Sequence, residues 1–393
     1  MKSVVVRGPL LTMSGYGVHS RQVVRWALSR KDFQVRTQLL PWGITPWHTN
    51  PSNLGGLVGE IMKLSLHEPK EGAPYDVSLQ IQLPNEWDPE LARVNIGITA
   101  AVETDRCHPE WVEACNRMTA VVVPSEHTKK VLKSPGNLSV PIIVIPEAFH
   151  DACSFDDNEL PKLDLNLKSE FNFLLFGQLT GNNPDNDRKN LFYTLKWICE
   201  EFSTDSDVGI VVKSNSGRMT KIDRIITEKI FSQVVREVRR GEYPKVYLLH
   251  GHMDDDQVAA LYRHQKIKAM VTLTRGEGFG LPILEAAASG LPVIATAWSG
   301  HMDFMRQGKF IGVNYSLNKI HPSRVDNHIF VENSKWANPV EADAKKKLRT
   351  FYKKSEIPRQ WALKLRDSLR ESHSYESIRL VYEKNLAKLI EEE

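Results

Sequence analysis

The 393-residue chain has 41% hydrophobic and 25% charged residues, an ordinary composition for a globular protein, and it is long enough for two domains. Its net charge of +3 neither requires nor excludes a nucleic-acid partner. The four cysteines lack a C-x2-C spacing, and this absence is typical of reduced thiols. No signal peptide and no stretch of roughly 18 apolar residues stands out. We therefore expect a cytoplasmic protein without an integral membrane segment.

Short strands and helices alternate through the first part of the chain. Residues 4–6 predict a strand, a loop with Gly15 and Gly17 follows, and residues 20–28 have the apolar spacing of a helix. This alternation predicts a parallel, doubly wound sheet in a first domain, residues 1–165. The further strands of this domain are predicted at 77–83 (with one face exposed to water), 94–99, 120–123 and 140–145, and the helices at 109–118 and 126–132.

A second doubly wound domain is predicted at residues 166–373, after a polar linker at 149–169. Its strands are expected at 171–177, 208–213, 246–249 and 269–273, and a helix is expected from Arg188 to about residue 202. A long helical pattern at residues 375–391 ends the chain.

The stretch 271–305 predicts a strand, a glycine-rich loop, a helix and another strand. Three glycines in five residues end the first strand, and Pro282 fits the first turn of the following helix. Such a loop lets the backbone approach an anion or a sugar closely. Glu277 lies in the loop and Glu285 on the helix, so both carboxylates could face one ligand, and a carboxylate accepts well from two vicinal hydroxyls.

The run GEGFGLPILEAAASGLPVIAT, residues 276–296, resembles the donor-site motif of retaining glycosyltransferases of the family 4 type. The resemblance implies the GT-B fold, in which two Rossmann-like domains face each other across a cleft and the last helix, here 374–393, returns to the first domain. It implies that Glu277 contacts the transferred sugar and that Glu285 binds the ribose of a UDP- or GDP-sugar. The loop backbone that would hold the donor is that of Gly278, Phe279, Gly280 and Leu281.

Two cations, Arg188 and Lys189, are candidates for neutralising the diphosphate leaving group, the main electrostatic task in breaking a sugar–nucleotide bond. The family has a basic residue at this place, and Lys189 matches it best. A second basic residue often follows the first strand of this domain, where this chain has Gln178. Arg188 or Lys213 is therefore the candidate substitute.

Four further residues are candidates for the site, the first three of them by resemblance. Gly15 and Gly17 match a glycine-rich loop opposite the donor phosphates, with a plain tight turn as the alternative. Glu103 lies where related enzymes place a residue facing the sugar, and a helix-capping role is equally open. Arg275, directly before the motif, is either part of the donor site or a surface charge.

No metal and no cofactor beyond the nucleotide sugar are expected. The runs 185–187 and 254–256 both fit a D-x-D pattern that holds a divalent ion in other glycosyltransferases. Neither run is predicted to end a strand, and the cations with the helix terminus can take over the role of a metal.

The leading interpretation is a retaining enzyme that moves a sugar from a nucleotide sugar to an acceptor hydroxyl of a glycan or small molecule. The alternative acceptor is a 5-hydroxymethylated pyrimidine in DNA. A catalytically idle binding protein is an alternative of another class, and the presence of both Glu277 and Glu285 argues against it. The basic residues that could follow a DNA backbone are Lys129, Lys130, Lys133, Arg236, Arg239 and Arg240.

Overall fold

The structure, a computed structural model, describes residues 1–66, 74–215, 217 and 219–391. The chain forms two compact units. Unit 1 comprises Met1–Val102, Arg106–Ala148 and Tyr375–Glu393, and unit 2 comprises Glu103–Asp105 and Phe149–Ser374. Over the described ranges, no helix has the length and apolar character needed to cross a bilayer.

Unit 1 is built on a parallel sheet with the strand order β2-β1-β3-β4-β5-β6. Helix α12, at the end of the chain, packs its apolar face against the core of this sheet. The strands are β1 (Lys2–Gly8), β2 (Phe33–Leu39), β3 (Tyr75–Ile81), β4 (Ala92–Ile98), β5 (Ala120–Val123) and β6 (Ile142–Val144), and the helices are α1 (Gly15–Ser29), α2 (Leu57–Ser65), α3 (Pro109–Asn116), α4 (Glu126–Lys133) and α12 (Tyr375–Glu391).

Two elements of unit 1 differ from their sequence predictions. Helix α1 begins at Gly15, because the Ser14 hydroxyl caps it by accepting from Gly17 N at 3.0 Å. Strand β3 is buried on both faces rather than wet on one. Its polar residues are satisfied internally, since Ser78 Oγ donates to Asn95 Oδ1 at 2.6 Å.

Unit 2 contains a second parallel sheet, with the strand order β12-β11-β10-β7-β8-β9, and an antiparallel pair β13-β14. The strands are β7 (Phe171–Phe176), β8 (Val208–Lys213), β9 (Lys245–Leu249), β10 (Ile267–Thr272), β11 (Val293–Thr296), β12 (Ile311–Val313), β13 (Tyr315–Lys319) and β14 (Lys335–Pro339). The helices are α5 (Leu191–Glu201), α6 (Lys221–Val238), α7 (Asp255–Tyr262), α8 (Leu281–Ala288), α9 (Met302–Met305), α10 (Glu341–Lys353) and α11 (Glu356–Ser372).

The strand order of unit 2 reverses between β7 and β10. From β7 the chain adds β8 and β9 on one side, and then adds β10, β11 and β12 on the other. This is the Rossmann-type order, and its ligand crevice lies at the carboxyl ends of the strands where the order reverses. The loops after β7 and β10 are therefore the place in unit 2 where a ligand site is expected.

A buried polar cluster in unit 1 joins α1, the end of the β6 segment and α12. His19 Nε2 lies 3.0 Å from the Tyr382 hydroxyl, and His19 Nδ1 lies 3.9 Å from Glu147 Oε1. Burial raises the pKa of Glu147 to about 8 and lowers the pKa of His19 to about 4. Glu147 Oε2 has no hydrogen-bond partner among the described residues. Holding this carboxyl neutral therefore costs stability at neutral pH.

Glu147→Gln is expected to stabilise the protein in a pH-dependent way. The pKa of Glu147 is about 8 when folded against an ordinary value of 4.5, so the wild type loses stability as the pH rises from 4.5 to 8. The glutamine variant lacks this loss, and its melting temperature should exceed that of the wild type by roughly 4–8 °C above pH 8 and by almost nothing below pH 4.5. The measurement is thermal unfolding of both proteins across this pH range. A difference in melting temperature that does not change with pH would contradict the raised pKa of Glu147.

Candidate active site

The side chains around Glu277 come from the loops after β7 and β10, at the reversal point of the sheet in unit 2. Glu277 is 6% exposed, and its carboxylate accepts from Lys189 Nζ at 2.7 and 2.8 Å. Arg188 Nη1 lies 3.3 Å from the same carboxylate and 2.8 Å from the Gly276 carbonyl oxygen. The loop after β7 thus supplies two cations to one buried carboxylate of the loop after β10.

The charge state of Glu277 follows from these contacts. Burial alone would raise its pKa, but Lys189 and Arg188 outweigh that effect and lower the pKa to about 2. The carboxylate is therefore ionised at every physiological pH. Burial opposes the charge of Arg188 as well, yet Glu103 and Glu277 together raise the pKa of its guanidinium.

Glu103 extends the cluster by one more charge. Its carboxylate lies 3.2 Å from Arg188 Nη2, and residues Glu103–Asp105 belong to unit 2. Gly276 permits this approach, because a Cβ at that position would lie 2.1 Å from the Glu103 carbonyl oxygen. The four predicted residues Glu103, Arg188, Glu277 and Lys189 therefore form a chain of alternating charges with no net charge.

Arg275 holds the loop that carries the two cations, and it is not a surface charge. It is 5% exposed, and its Nη1 lies 3.1, 2.7 and 3.1 Å from the carbonyl oxygens of Pro184, Asp185 and Asp187. Its backbone N–H donates to the Arg188 carbonyl oxygen at 2.9 Å. A single buried guanidinium thus fixes the loop immediately before the cations.

The prediction that Arg188 and Lys189 open the helix is wrong. Helix α5 begins at Leu191, after Asn190 in a left-handed conformation with φ 53°. The Asp187 carboxylate takes the role of a cap by accepting from Leu191 N at 2.7 Å. The two cations lie in the turn before the helix rather than in its first turn.

Glu285 lies on α8. Its carboxylate accepts a hydrogen bond of 3.4 Å from the hydroxyl of Tyr262, and the side chain is half-buried. Phe279 packs its ring into the core at 5.2 Å from that of Phe304, which leaves the backbone of the loop as the part that can contact a ligand. The predicted loop Gly278, Phe279, Gly280 and Leu281 leads directly into α8, with Gly280 at φ 104°.

Lys213 lies at the end of β8, the strand next to β7. It is 4% exposed, and its Nζ donates to Asn215 Oδ1 at 2.9 Å and to the Gly251 carbonyl oxygen at 2.5 Å. Burial lowers the pKa of Lys213 to about 8. No contact joins it to the Glu277 cluster among the described residues. Gln178, where the family pattern has a basic residue, is exposed.

Gly15 and Gly17 belong to unit 1, in the first turn of α1 rather than in the predicted loop. A Cβ at Gly17 would lie 2.1 Å from the Thr12 carbonyl oxygen, so packing of the preceding turn is sufficient to require a glycine there. Gly15 faces open space, because a Cβ at that position would have no heavy atom within 4 Å. Of the two, Gly15 is the one whose backbone is open to a ligand.

The aspartates of both D-x-D runs have structural partners. Asp187 accepts from the Thr180 backbone and hydroxyl at 2.9 and 2.6 Å, and Asp185 accepts from the Tyr193 hydroxyl at 2.9 Å. Asp254 is the N-cap residue of α7. No group of three or more His, Cys, Asp and Glu side chains with metal-binding geometry occurs in the described part of the chain.

The basic residues considered for DNA fall into two separate groups. Lys129, Lys130 and Lys133 lie on α4 of unit 1, whereas Arg236 lies on α6 of unit 2. Arg239, directly after α6, donates to the Pro244 carbonyl oxygen at 3.1 Å. The DNA acceptor stays a prediction.

Sequence reasoning missed the segment 299–301 beneath the glutamate loop. Ser299 Oγ accepts from Glu277 N at 2.9 Å, and the Gly300 N–H donates to the Glu277 carbonyl oxygen at 2.8 Å. Ser299 has φ 87°, which is strained for a residue with a side chain. His301 is buried and its Nε2 donates to the Thr296 carbonyl oxygen at 2.8 Å. The only sequence signal for these contacts with Glu277 is the Ser-Gly-His run at 299–301, which follows a strand closely.

Comparison with a protein-family model matches residues 233–321 to "Glycosyl transferases group 1". The matched segment contains both Glu277 and Glu285, and it covers less than half of the chain. A search of curated proteins gave no match.

Solved structures match over almost the whole chain. Sucrose-phosphate synthase from Thermosynechococcus elongatus is 13% identical, with a TM-score of 0.65 and 100% of both chains covered. The α,α-trehalose 6-phosphate synthase from Burkholderia multivorans is 8% identical, with a TM-score of 0.61 and 99% of this chain and 98% of that chain covered. Anabaena HepE, solved with UDP and glucose, is 13% identical, with a TM-score of 0.58 and 98% and 100% covered.

These similarities confirm the predicted fold class, two doubly wound Rossmann-like domains of the GT-B type. At such low identity they show the fold alone. The chain thus has a GT-B fold, and its segment 233–321 matches the group 1 glycosyl transferases.

Proposed function

We propose that the chain transfers a sugar from a nucleotide-sugar donor to an acceptor hydroxyl and retains the anomeric configuration. The observation that carries the proposal is the buried, ionised Glu277 paired with Lys189 and Arg188 at the reversal point of the sheet. The match of the surrounding segment to group 1 glycosyl transferases supports the same assignment.

In the proposed reaction, the bond between the anomeric carbon and the leaving phosphate oxygen breaks, and a bond to the acceptor oxygen forms on the same face of the sugar. The acceptor proton passes to the leaving phosphate. Lys189 and Arg188 stabilise the negative charge that develops on the diphosphate, and Glu277 contacts the transferred sugar. Lys189 is the more accessible cation, with 23% of its side chain exposed against 14% for Arg188.

The donor is proposed to be a UDP-sugar in the first instance. HepE, which has the same fold, was solved with UDP and glucose. Glu285, half-buried on α8, is assigned to the ribose hydroxyls, and the backbone of Gly278 to Leu281 is assigned to the phosphate and sugar. GDP-sugars are the second donor class to test.

Glu285→Ala is expected to weaken binding of both UDP and the intact donor. Loss of two hydrogen bonds to a carboxylate should raise Kd roughly 10- to 100-fold. Calorimetry with UDP and UDP-glucose is the measurement, and Glu356→Ala, an exposed glutamate at the start of α11, is the matched control. Unchanged affinity for both ligands in Glu285→Ala would remove Glu285 from the site.

A thermal-shift screen of UDP- and GDP-sugars, followed by assays of donor hydrolysis on the hits, tests the activity itself. Hydrolysis should continue in EDTA, since Lys189 and Arg188 supply the positive charge in the proposed reaction. Loss of activity in EDTA with recovery on added manganese would refute the metal-free reaction. Binding of UDP without turnover of any donor and acceptor would instead favour the catalytically idle binding protein.

A further inference from the structure

Helix α6 of unit 2 presents a row of isoleucines to solvent. Ile222, Ile225, Ile226 and Ile230 are 69%, 65%, 48% and 44% exposed. Their spacing of three, four and eight residues places all four on one face of the helix. The opposite face, with Thr227, Phe231 and Val238, is buried against the unit. Four large apolar side chains on a single exposed face are unusual for a protein surface that contacts only water.

The same outward face carries positive charge. At about 100° per residue, Lys229 falls among the isoleucines and Arg236 continues the face towards the carboxyl end of the helix. Arg240 lies two residues beyond that end. All three are exposed, and none makes an ion pair with another described residue.

The acids of α6 are already engaged by neighbouring groups. Asp223 accepts from the Thr220 backbone at 2.8 Å, Glu228 accepts from Arg224 at 2.8 Å, and Glu237 accepts from Gln233 at 3.0 Å. The groups that donate to Asp223 and Glu237 are uncharged, and Glu237 shares the outward face. Lys229, Arg236 and Arg240 still outnumber this acid, which leaves positive charge for an external anion.

We propose that this face of α6 binds the surface of an anionic lipid membrane. Isoleucines enter the boundary between headgroups and acyl chains, while the long side chains of Lys229, Arg236 and Arg240 reach the lipid phosphates. An apolar row bordered by unpaired cations is complementary to such a surface in both shape and charge. The proposal does not depend on the sugar-transfer reaction.

A second copy of the chain fits this face less well. The isoleucine row from Ile222 to Ile230 is only about 12 Å long at the rise of an α-helix. A stable protein interface buries about 800 Å² on each partner, far more than one short row of side chains provides.

Co-sedimentation of the full chain with phosphatidylcholine vesicles, with and without phosphatidylglycerol, tests the proposal. Binding is expected to the mixed vesicles and to fall with added salt. The double substitution Ile225→Ser and Ile226→Ser should weaken it roughly tenfold or more. Replacing Lys229, Arg236 and Arg240 by glutamine should weaken it about a hundredfold. The control is Ile357→Ser with Leu363→Ser, on α11, whose side chains are 60% and 46% exposed.

Three outcomes would overturn the proposal. The first is absence of binding to the mixed vesicles, and the second is equal binding by the isoleucine variant and the wild type. The third is a dimer in analytical ultracentrifugation that the isoleucine variant loses, without any vesicle binding, which would assign the face to a second copy. Circular dichroism of each variant confirms that the fold is retained.

Discussion

Lys189→Ala is expected to lower turnover of the donor by roughly a hundredfold or more, the usual effect of removing one group that stabilises developing charge. Lys189 Nζ lies within 2.8 Å of both Glu277 oxygens, and part of its side chain is accessible, which supports its proposed contact with the diphosphate. The measurement is the steady-state rate of donor hydrolysis at saturating donor. Lys196→Ala, on α5 and paired with Glu200 at 2.8 Å, is the control and should keep normal turnover.

The fold should survive this substitution. Glu277 keeps Arg188 as a partner at 3.3 Å, so its charge is not left alone in the interior. Near-normal turnover of Lys189→Ala at saturating donor would mean that another cation neutralises the leaving group, and Arg188→Ala would then be the next variant to measure.

Glu277→Gln is expected to lower turnover by roughly a hundred- to a thousandfold, because the amide cannot replace the charge of the buried carboxylate. It should also destabilise the fold, since Lys189 and Arg188 lose their shared counter-charge. The decrease in unfolding free energy should be smaller than the roughly 3–5 kcal/mol expected on breaking a fully buried ion pair, because the two cations are partly exposed. Hydrolysis rates and chemical denaturation of wild type and variant are the measurements.

The destabilisation has a defined pH dependence. The pKa of Glu277 is about 2 when folded against an ordinary value of 4.5, so its contribution to stability is complete above pH 4.5 and is lost as the pH falls towards 2. The difference in unfolding free energy between wild type and Glu277→Gln should shrink over this interval. A difference that does not change with pH would show that the carboxylate is not held by these charges. Glu201→Gln, in which an ion pair with Arg349 is lost, serves as the control for turnover.

Much of the fold could be predicted because the sequence carries local periodicity. The strand at 120–123 and the helix Tyr375–Glu391 have the predicted bounds, since an apolar run and a helical repeat mark them. The predicted start of α1 is too late, because Gly15 and Gly17 suggest a loop while Ser14 caps a helix that accommodates both. Local propensity alone does not predict whether the Ser14 cap or the two glycines determines where the helix begins.

Four members of the cluster around Glu277 could be selected from the sequence, but their arrangement could not. Glu277 and Lys189 could be selected from motif and resemblance, and the structure brings them to 2.7 Å. Contacts between distant parts of the chain leave no periodic signal, so the ion pair of Glu103 with Arg188 could not be foreseen. The same holds for the support of Glu277 by Ser299 and for the clamp of Arg275 on the preceding loop.

The most direct test of the central claim is proton NMR of UDP-α-glucose, or of the best donor from the screen, during incubation with the wild type and with Glu277→Gln. Sugar transfer to water is expected to release UDP and, before mutarotation, the α-anomer of the free sugar, with the variant at least about a hundredfold slower. Release of the β-anomer would contradict retention. Absence of cleavage for every donor that binds, or equal cleavage by the variant, would contradict the assignment of this site to sugar transfer.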